Sequence, residues 1–203
     1  MGAAAIHRQA IVDTAVRLFR KQGYAATGLN QIVEESGAPK GSLYHYFPEG
    51  KTAIAEAAVR TAAAKVTGTL QALVAEQDDP ARIYRRYLDL MAGWMAQSGY
   101  RDGSPITTTL LETAPQIAAL RDAGAQALSD WAQVLAGALS RKGVPAARAE
   151  RLARVAIAAL EGALLQVRVS EDRRPLDDAA GEIGGLFEDA VKAAKAASAV
   201  DLQ

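Results

Sequence analysis

Cysteine is absent from this chain of 203 residues. That excludes disulfides, thiolate nucleophiles and cysteine metal sites, and it fits a reducing compartment. Histidine occurs only at His7 and His45, and no metal-ligating set is read from them. The sequence has no Gly-rich phosphate loop, no nucleophile elbow and no HExxH. No catalytic residue, metal ligand or cofactor is therefore nominated. Aromatic residues make up 5% of a chain that is 50% hydrophobic, so the core is expected to be Ala- and Leu-rich helices packed closely. No apolar run approaches the length that spans a bilayer. The start, MGAAAIHRQA, lacks the basic head and apolar stretch of a signal peptide. Its Met-Gly is followed by Ile6, where myristoylation requires Ser or Thr. The expectation is a soluble cytoplasmic protein with no membrane partner.

Net charge is also lacking, with 23 basic against 23 acidic residues. Residues 1–51 carry six Lys or Arg against four Asp or Glu, a balance of +2, and the remainder carries −2. A non-specific nucleic-acid binder needs far more positive charge. Any DNA affinity must come from specific contacts and from pairing of subunits.

What the chain does have is helical periodicity from end to end. Ile11, Ala15, Leu18 and Phe19 recur at helical spacing over 6–22, and Gly23 stops that helix. The stretch TGLNQIVEESGAPKGSLYHYF, Thr27 to Phe47, reads as two short helices around a tight turn. Leu29, Ile32 and Val33 share one face, Thr27 is positioned as the N-cap, and Gly37 supplies the positive φ that ends the first helix. Pro39 reads as the first residue of the second helix, where a missing N–H costs nothing. This is a helix-turn-helix. The second helix, about 40–46, buries Leu43 and leaves Lys40, Gly41, Ser42, Tyr44 and His45 for a partner. Lys40 can donate to guanine or phosphate, Ser42 to either, and Tyr44 and His45 to phosphate oxygens. Gly41 lets the backbone come close to a base edge or phosphate. Lys51, just beyond, adds a phosphate contact. Phe47 is read as core and Tyr46 as partly so.

The string GAPKGSLYHYFPEGKTAI, preceded by TGLNQIVEESG, resembles the DNA-binding signature of the tetracycline-repressor (TetR) family over residues 6–56. An Ile in the first motif helix, a turn Gly, a Lys-Gly-Ser-Leu-Tyr recognition helix, Tyr-Phe and a following Lys agree in identity and spacing. Pro39 departs from the pattern, which often has a Ser or Thr cap there. The resemblance implies that Thr27 touches a phosphate at the entry to the motif, beside Gly28. It also implies an all-α chain: a three-helix DNA-binding domain at 1–50, joined through a long helix to an effector-binding and dimerisation domain at 51–203, with the boundary inside the helix at 51–76.

That long helix spans about 40 Å at 1.5 Å per residue and is expected to act as a lever between two lobes. Asp78-Asp79-Pro80 ends it. Further helices read at 81–97, with Ile83, Tyr87, Leu90, Met91, Trp94 and Met95 on its apolar face, then at 106–113, from Pro115 to about 142, at 146–170 and at 175–197. Tyr87, Met91, Trp94 and Met95 are expected to face Trp131 and Leu135, with Thr107, Thr108 and Leu111 roofing one end of a small-molecule pocket. Glu161 is the odd acid in AIAALEGALLQV. It is either paired within the bundle or a polar anchor for ligand. Leu152, Ala156, Ala159, Ala163 and Val167 with Ile183, Phe187 and Ala190 are assigned to a two-fold four-helix interface, as the resemblance implies. GSPIT…LETAP and EGALLQVRV also resemble, more loosely, the lincomycin-resistance regulator branch of the family.

The function expected is a homodimeric, ligand-responsive transcription regulator, a repressor released from a palindromic operator by a small apolar effector. The alternative is a helical ligand-binding protein whose helix-turn-helix no longer binds DNA.

Overall fold

The computed structural model describes residues 3–39, 41–104 and 106–200, and among them all regular structure is helical. The helices are α1 (Ala3–Gln22), α2 (Leu29–Ser36), α3 (Ser42–Tyr46), α4 (Lys51–Glu76), α5 (Pro80–Gln97), α6 (Thr107–Thr113), α7 (Ala118–Arg141), α8 (Ala146–Ser170) and α9 (Arg174–Val200). Their ends follow local chemistry. Gly23, at φ +84°, turns the chain out of α1 while its N–H bonds the Phe19 carbonyl at 2.9 Å. Gly37 ends α2 in the left-handed region, which costs glycine nothing sterically. Asp79 caps α5 by accepting from the N–H groups of Ala81 and Arg82, with Pro80 in the first turn, where its missing donor is harmless. Two boundaries differ from expectation. Pro39 lies in the turn before α3, its carbonyl accepting from the Ser42 N–H. Pro115 likewise sits in a turn, in which Gln116 and Ile117 both donate to Thr113, so α7 begins at Ala118.

Packing divides the chain into two compact units, one of Met1–Lys65 with Gly103–Ala127, the other of Val66–Asp102 with Leu128–Gln203. Helices α4 and α7 each contribute to both. The first cut falls inside the helix at 51–76, where the boundary was expected, while residues 103–127 join the N-terminal unit and not the expected 51–203.

In the first unit α1 packs on α2, α3 and α6. Its buried stripe of Ile11, Val12, Ala15, Leu18 and Phe19 is under 3% exposed throughout, and Ile32, Leu43, Phe47 and Ile54 of the same unit are equally buried. Arg17 crosses to Glu35 on α2 at 2.6 Å. Helix α6 is seated against α7 where Gly124 has no side chain. A Cβ there would stand 2.5 Å from Cδ1 of Leu110.

In the second unit α9 packs along α5 and α8. The Tyr84 ring lies 5.7 Å from that of Phe187, and its hydroxyl donates to the Ala156 carbonyl at 2.9 Å. Arg85 passes over Gly184, where a Cβ would meet its Nε at 2.6 Å, and pairs with Glu188 at 2.5 Å. Lys142 is paired with Asp78.

Helix α5 is rotated relative to its expected face. Tyr84 and Leu88 are buried with Ile83, Tyr87 and Met95, while Leu90 is exposed and Met91 and Trp94 are half-buried.

The expected interface residues divide by their burial within the chain. Leu152, Ala156, Ala163, Val167, Ile183 and Phe187 are all buried inside the chain's own core, and Ala159 and Ala190 are half-buried. The six buried side chains are spent on the protomer's own core, while Ala159 and Ala190 keep part of their surface. The apolar side chains that α8 leaves outside are Val155, Leu165 and Val169, at 52%, 59% and 79% exposure. With exposed Ala158 and Gly162 they form a stripe at helical spacing along its length. On α9, Leu186 is exposed beside a shallow groove of about 470 Å³ lined by Val144, Pro145, Ala190, Ala193 and Ala197 among others.

Candidate nucleic-acid interface

Helix α3 is the second helix of the helix-turn-helix. Leu43 is 2% exposed and anchors the helix, whereas Tyr44 is 64% exposed and His45 also faces solvent. The helix is short, so its neighbours hold it. Phe47 is 2% exposed under the guanidinium of Arg8, 5.1 Å from its ring centre. Tyr46 is half-buried and packs edge-on against the His45 ring at 5.1 Å. Tyr44 and His45 are thus presented while Leu43 and Phe47 are spent on the core, as expected. Gly41 precedes the helix with nothing within 4 Å of where a side chain would begin, leaving bare backbone at the surface. Ser42 is half-buried and its hydroxyl donates to the Pro39 carbonyl at 2.6 Å. Lys40 lies outside the described residues.

The entry to α2 differs from expectation. Gly28, extended at φ −86° and ψ 149°, is the N-cap, and no side chain caps the helix. Thr27 is 0% exposed, with its hydroxyl donating to the Gly23 carbonyl at 2.7 Å. Thr27 therefore closes the turn between α1 and α2 from within, and its side chain is withdrawn from any phosphate. The N–H groups at the start of α2, behind exposed Gly28, have no side-chain cap, and a helix N-terminus attracts anions.

Lys51 stands at the start of α4, half-buried. Its ammonium lies 4.2 Å from the Tyr24 ring centre and 3.4 Å from the Ala25 carbonyl. Burial pushes its pKa down, opposed by the charge of Glu112. Glu112, on α6, reaches the same turn. Its carboxylate accepts from the N–H of Tyr24 at 3.1 Å and of Ala25 at 2.7 Å. Sequence reasoning missed Glu112. Nothing in LETAP marks it, because its partners are backbone groups 88 and 87 residues earlier.

The ten residues expected to line an effector pocket fall into both units. Thr107, Thr108 and Leu111 belong to the first, and Tyr87, Met91, Trp94, Met95, Trp131, Leu135 and Glu161 to the second. Leu111 is 74% exposed, so it does not roof a pocket. Tyr87, Met95, Trp131 and Leu135 are at most 3% exposed. Burial raises the Tyr87 hydroxyl's pKa, and the charge of Glu161 raises it further. Glu161 is half-buried, not enclosed. No group of three or more His, Asp or Glu among the described residues could hold a metal ion, and no helix among them is long and apolar enough to cross a membrane.

Comparison with known proteins agrees with this geometry. Residues 11–58 match the bacterial regulatory proteins of the tetR family, and residues 80–182 match the LmrA/YxaF-like C-terminal domain of transcriptional regulators. The chain belongs to the TetR family. Among its relatives, the HTH-type transcriptional regulator YxaF of Bacillus subtilis is 36% identical over 169 residues, covering 83% of this chain and 88% of YxaF. LmrA of the same organism is 34% identical over 169 residues, covering 83% and 90%. A TetR transcriptional regulator from Chloroflexus aurantiacus superposes with a TM-score of 0.75 at 27% identity, over 93% of this chain and 97% of that one. One from Legionella pneumophila reaches 0.78 at 18% identity, over 87% and 95%, a likeness of fold. This TetR-family chain is a DNA-binding transcriptional regulator and not an enzyme.

Proposed function

We propose that this regulator is a cytoplasmic homodimeric repressor, released from a near-palindromic operator by a small apolar effector. The observation that carries it is the division of α3 into a buried Leu43 and a presented pair, Tyr44 and His45. Two such helices, one from each protomer, enter successive major grooves about 34–36 Å apart. Tyr44, His45 and Lys51 take phosphates together with the N-terminus of α2 behind Gly28. Gly41 brings backbone close to the bases, and Lys40 and Ser42 read or position them. The α8 stripe of Val155, Gly162, Leu165 and Val169 forms the two-fold contact with its counterpart, flanked by α9. The effector binds in the second unit, against Tyr87, Met91, Trp94, Met95, Trp131 and Leu135, with Glu161 as its polar anchor. It releases DNA only if it binds the DNA-incompetent state more tightly than the competent one.

The test is selection of bound sequences from a random duplex pool by the purified protein near physiological salt. Enrichment of a palindrome supports the reading and supplies a probe for effectors that abolish binding. With that probe, Tyr44→Ala should weaken binding without unfolding the protein. A folded, dimeric protein that enriches nothing would overturn the proposal of an effector-released repressor.

A further inference from the structure

The cluster of Glu112, Tyr24, Ala25 and Lys51 is not absorbed by the DNA-contact reading, although it surrounds one of its residues. One carboxylate takes two consecutive backbone N–H groups of the turn between α1 and α2, at 3.1 and 2.7 Å. Successive N–H groups at a turn are also what holds phosphate oxygens. The approach is close: a Cβ on Gly23 would lie 2.1 Å from Oε1 of Glu112. The Lys51 ammonium reaches this same turn, 3.4 Å from the Ala25 carbonyl and 4.2 Å from the Tyr24 ring centre, and the Glu112 charge acts on it. Lys51 and the Glu112 carboxylate thus converge on one turn of the chain. All four residues belong to the first unit, so the anion is carried to the DNA-reading helices by α6.

We propose that Glu112 is an internal anion that competes with DNA phosphate for Lys51, so that α6 holds down the DNA affinity of this unit. The inference rests on the reading of Lys51 as a phosphate contact. An ammonium held against the Ala25 carbonyl and the Tyr24 ring must leave them to meet a phosphate. Removing the Glu112 charge removes that competition. Anything that displaces α6 would have the same effect, which gives α6 a say in DNA binding separate from the spacing of the two recognition helices.

The test uses the whole 203-residue chain, in whatever assembly it forms on purification, and a random-sequence duplex of about 30 base pairs titrated over a series of salt concentrations. Such a probe reports phosphate contacts without requiring the operator. Glu112→Gln keeps an oxygen that can accept from the turn but removes the charge. It should bind about fivefold more tightly at low salt, the size of one unit-charge interaction a few ångströms away in water, and steepen the salt slope by up to about 0.9. Lys51→Ala should weaken binding and flatten the slope, and adding Glu112→Gln to it should change neither. Should Glu112→Gln fail to fold, Glu112→Asp draws the carboxylate back by one methylene and should give the same ordering. Tightening that persists undiminished in the Lys51→Ala background would be a general field effect and would overturn the proposal. So would an unchanged Glu112→Gln beside a weakened Lys51→Ala, which leaves the Lys51 contact itself standing. A Lys51→Ala variant that binds like the parent overturns both.

Discussion

Tyr84 on α5 and Ala156 on α8 are joined by a hydroxyl-to-carbonyl hydrogen bond of 2.9 Å with the whole of Tyr84 buried. The Ala156 carbonyl sits inside α8, where backbone bonding already engages it, so the tyrosine adds a link between helices 72 residues apart in sequence. Tyr84→Phe should cost about 1 kcal/mol of unfolding free energy. Tyr84→Ala, which also leaves a cavity beside Phe187, should cost about 3–5 kcal/mol. Urea unfolding followed by circular dichroism measures both. Equal losses would mean that the hydroxyl, not the ring, supplies the stability.

Gly23 answers to two demands at once, a φ of +84° and the nearness of the Glu112 carboxylate. Gly23→Ala should destabilise the protein by about 1–3 kcal/mol. Combining it with Glu112→Ala should recover part of that loss, since the clash disappears and only the backbone strain remains. Strictly additive losses in a double-mutant cycle would show that the carboxylate does not press on the turn.

The α8 stripe sets a contrast between neighbouring residues. Leu165→Glu, at a position 59% exposed, should leave a folded chain that sediments as a monomer. Leu160→Glu, at 2% exposure, should unfold it, because a buried unpaired carboxylate is costly. A Leu165→Glu protein with the parent's sedimentation coefficient would remove this stripe from the proposed dimer contact.

Acid should loosen the packing of α1 on α2. The Arg17 guanidinium, and then the Gln31 amide, hold the Glu35 carboxyl below its ordinary value of 4.5. A carboxylate whose pKa is depressed on folding contributes stability that is present above the unfolded value and lost as pH falls through the folded one. The stability difference between the parent and Glu35→Gln should therefore be constant near neutrality and shrink below about pH 4.5. A difference that stays constant through that range would mean the ion pair contributes nothing.

The helix boundaries were legible because single residues mark them: Gly23 and Gly37 by their positive φ, Asp79 and Pro80 by capping. The recognition helix was legible for the same reason, since Leu43 and Phe47 are its apolar anchors and Tyr44 and His45 fall between them. The buried face of a helix was harder to read where apolar residues surround it. Helix α8 has Leu152, Ala156 and Leu160 on one side and Val155, Leu165 and Val169 on another, and periodicity alone does not say which side its own protomer fills. Tyr84 lost to Leu90 in the reading of α5 for a like reason. Glu112 was beyond reach, because no local pattern announces a carboxylate whose partners are main-chain N–H groups of a distant turn.

The path of the backbone between its two compact units has a consequence for how such a protein can be recombined. The chain passes from one unit to the other at Lys65, at Asp102 and at Ala127, twice in the middle of a continuous helix. No single crossover can lift the DNA-reading unit out whole. A chimera joined at the end of the helix-turn-helix would inherit a Gly23 turn and a Lys51 shaped for one α6, and would face them with another. Replacing the C-terminal part of this chain at that point therefore replaces the residue at position 112 as well, and the turn that receives it must match the newcomer.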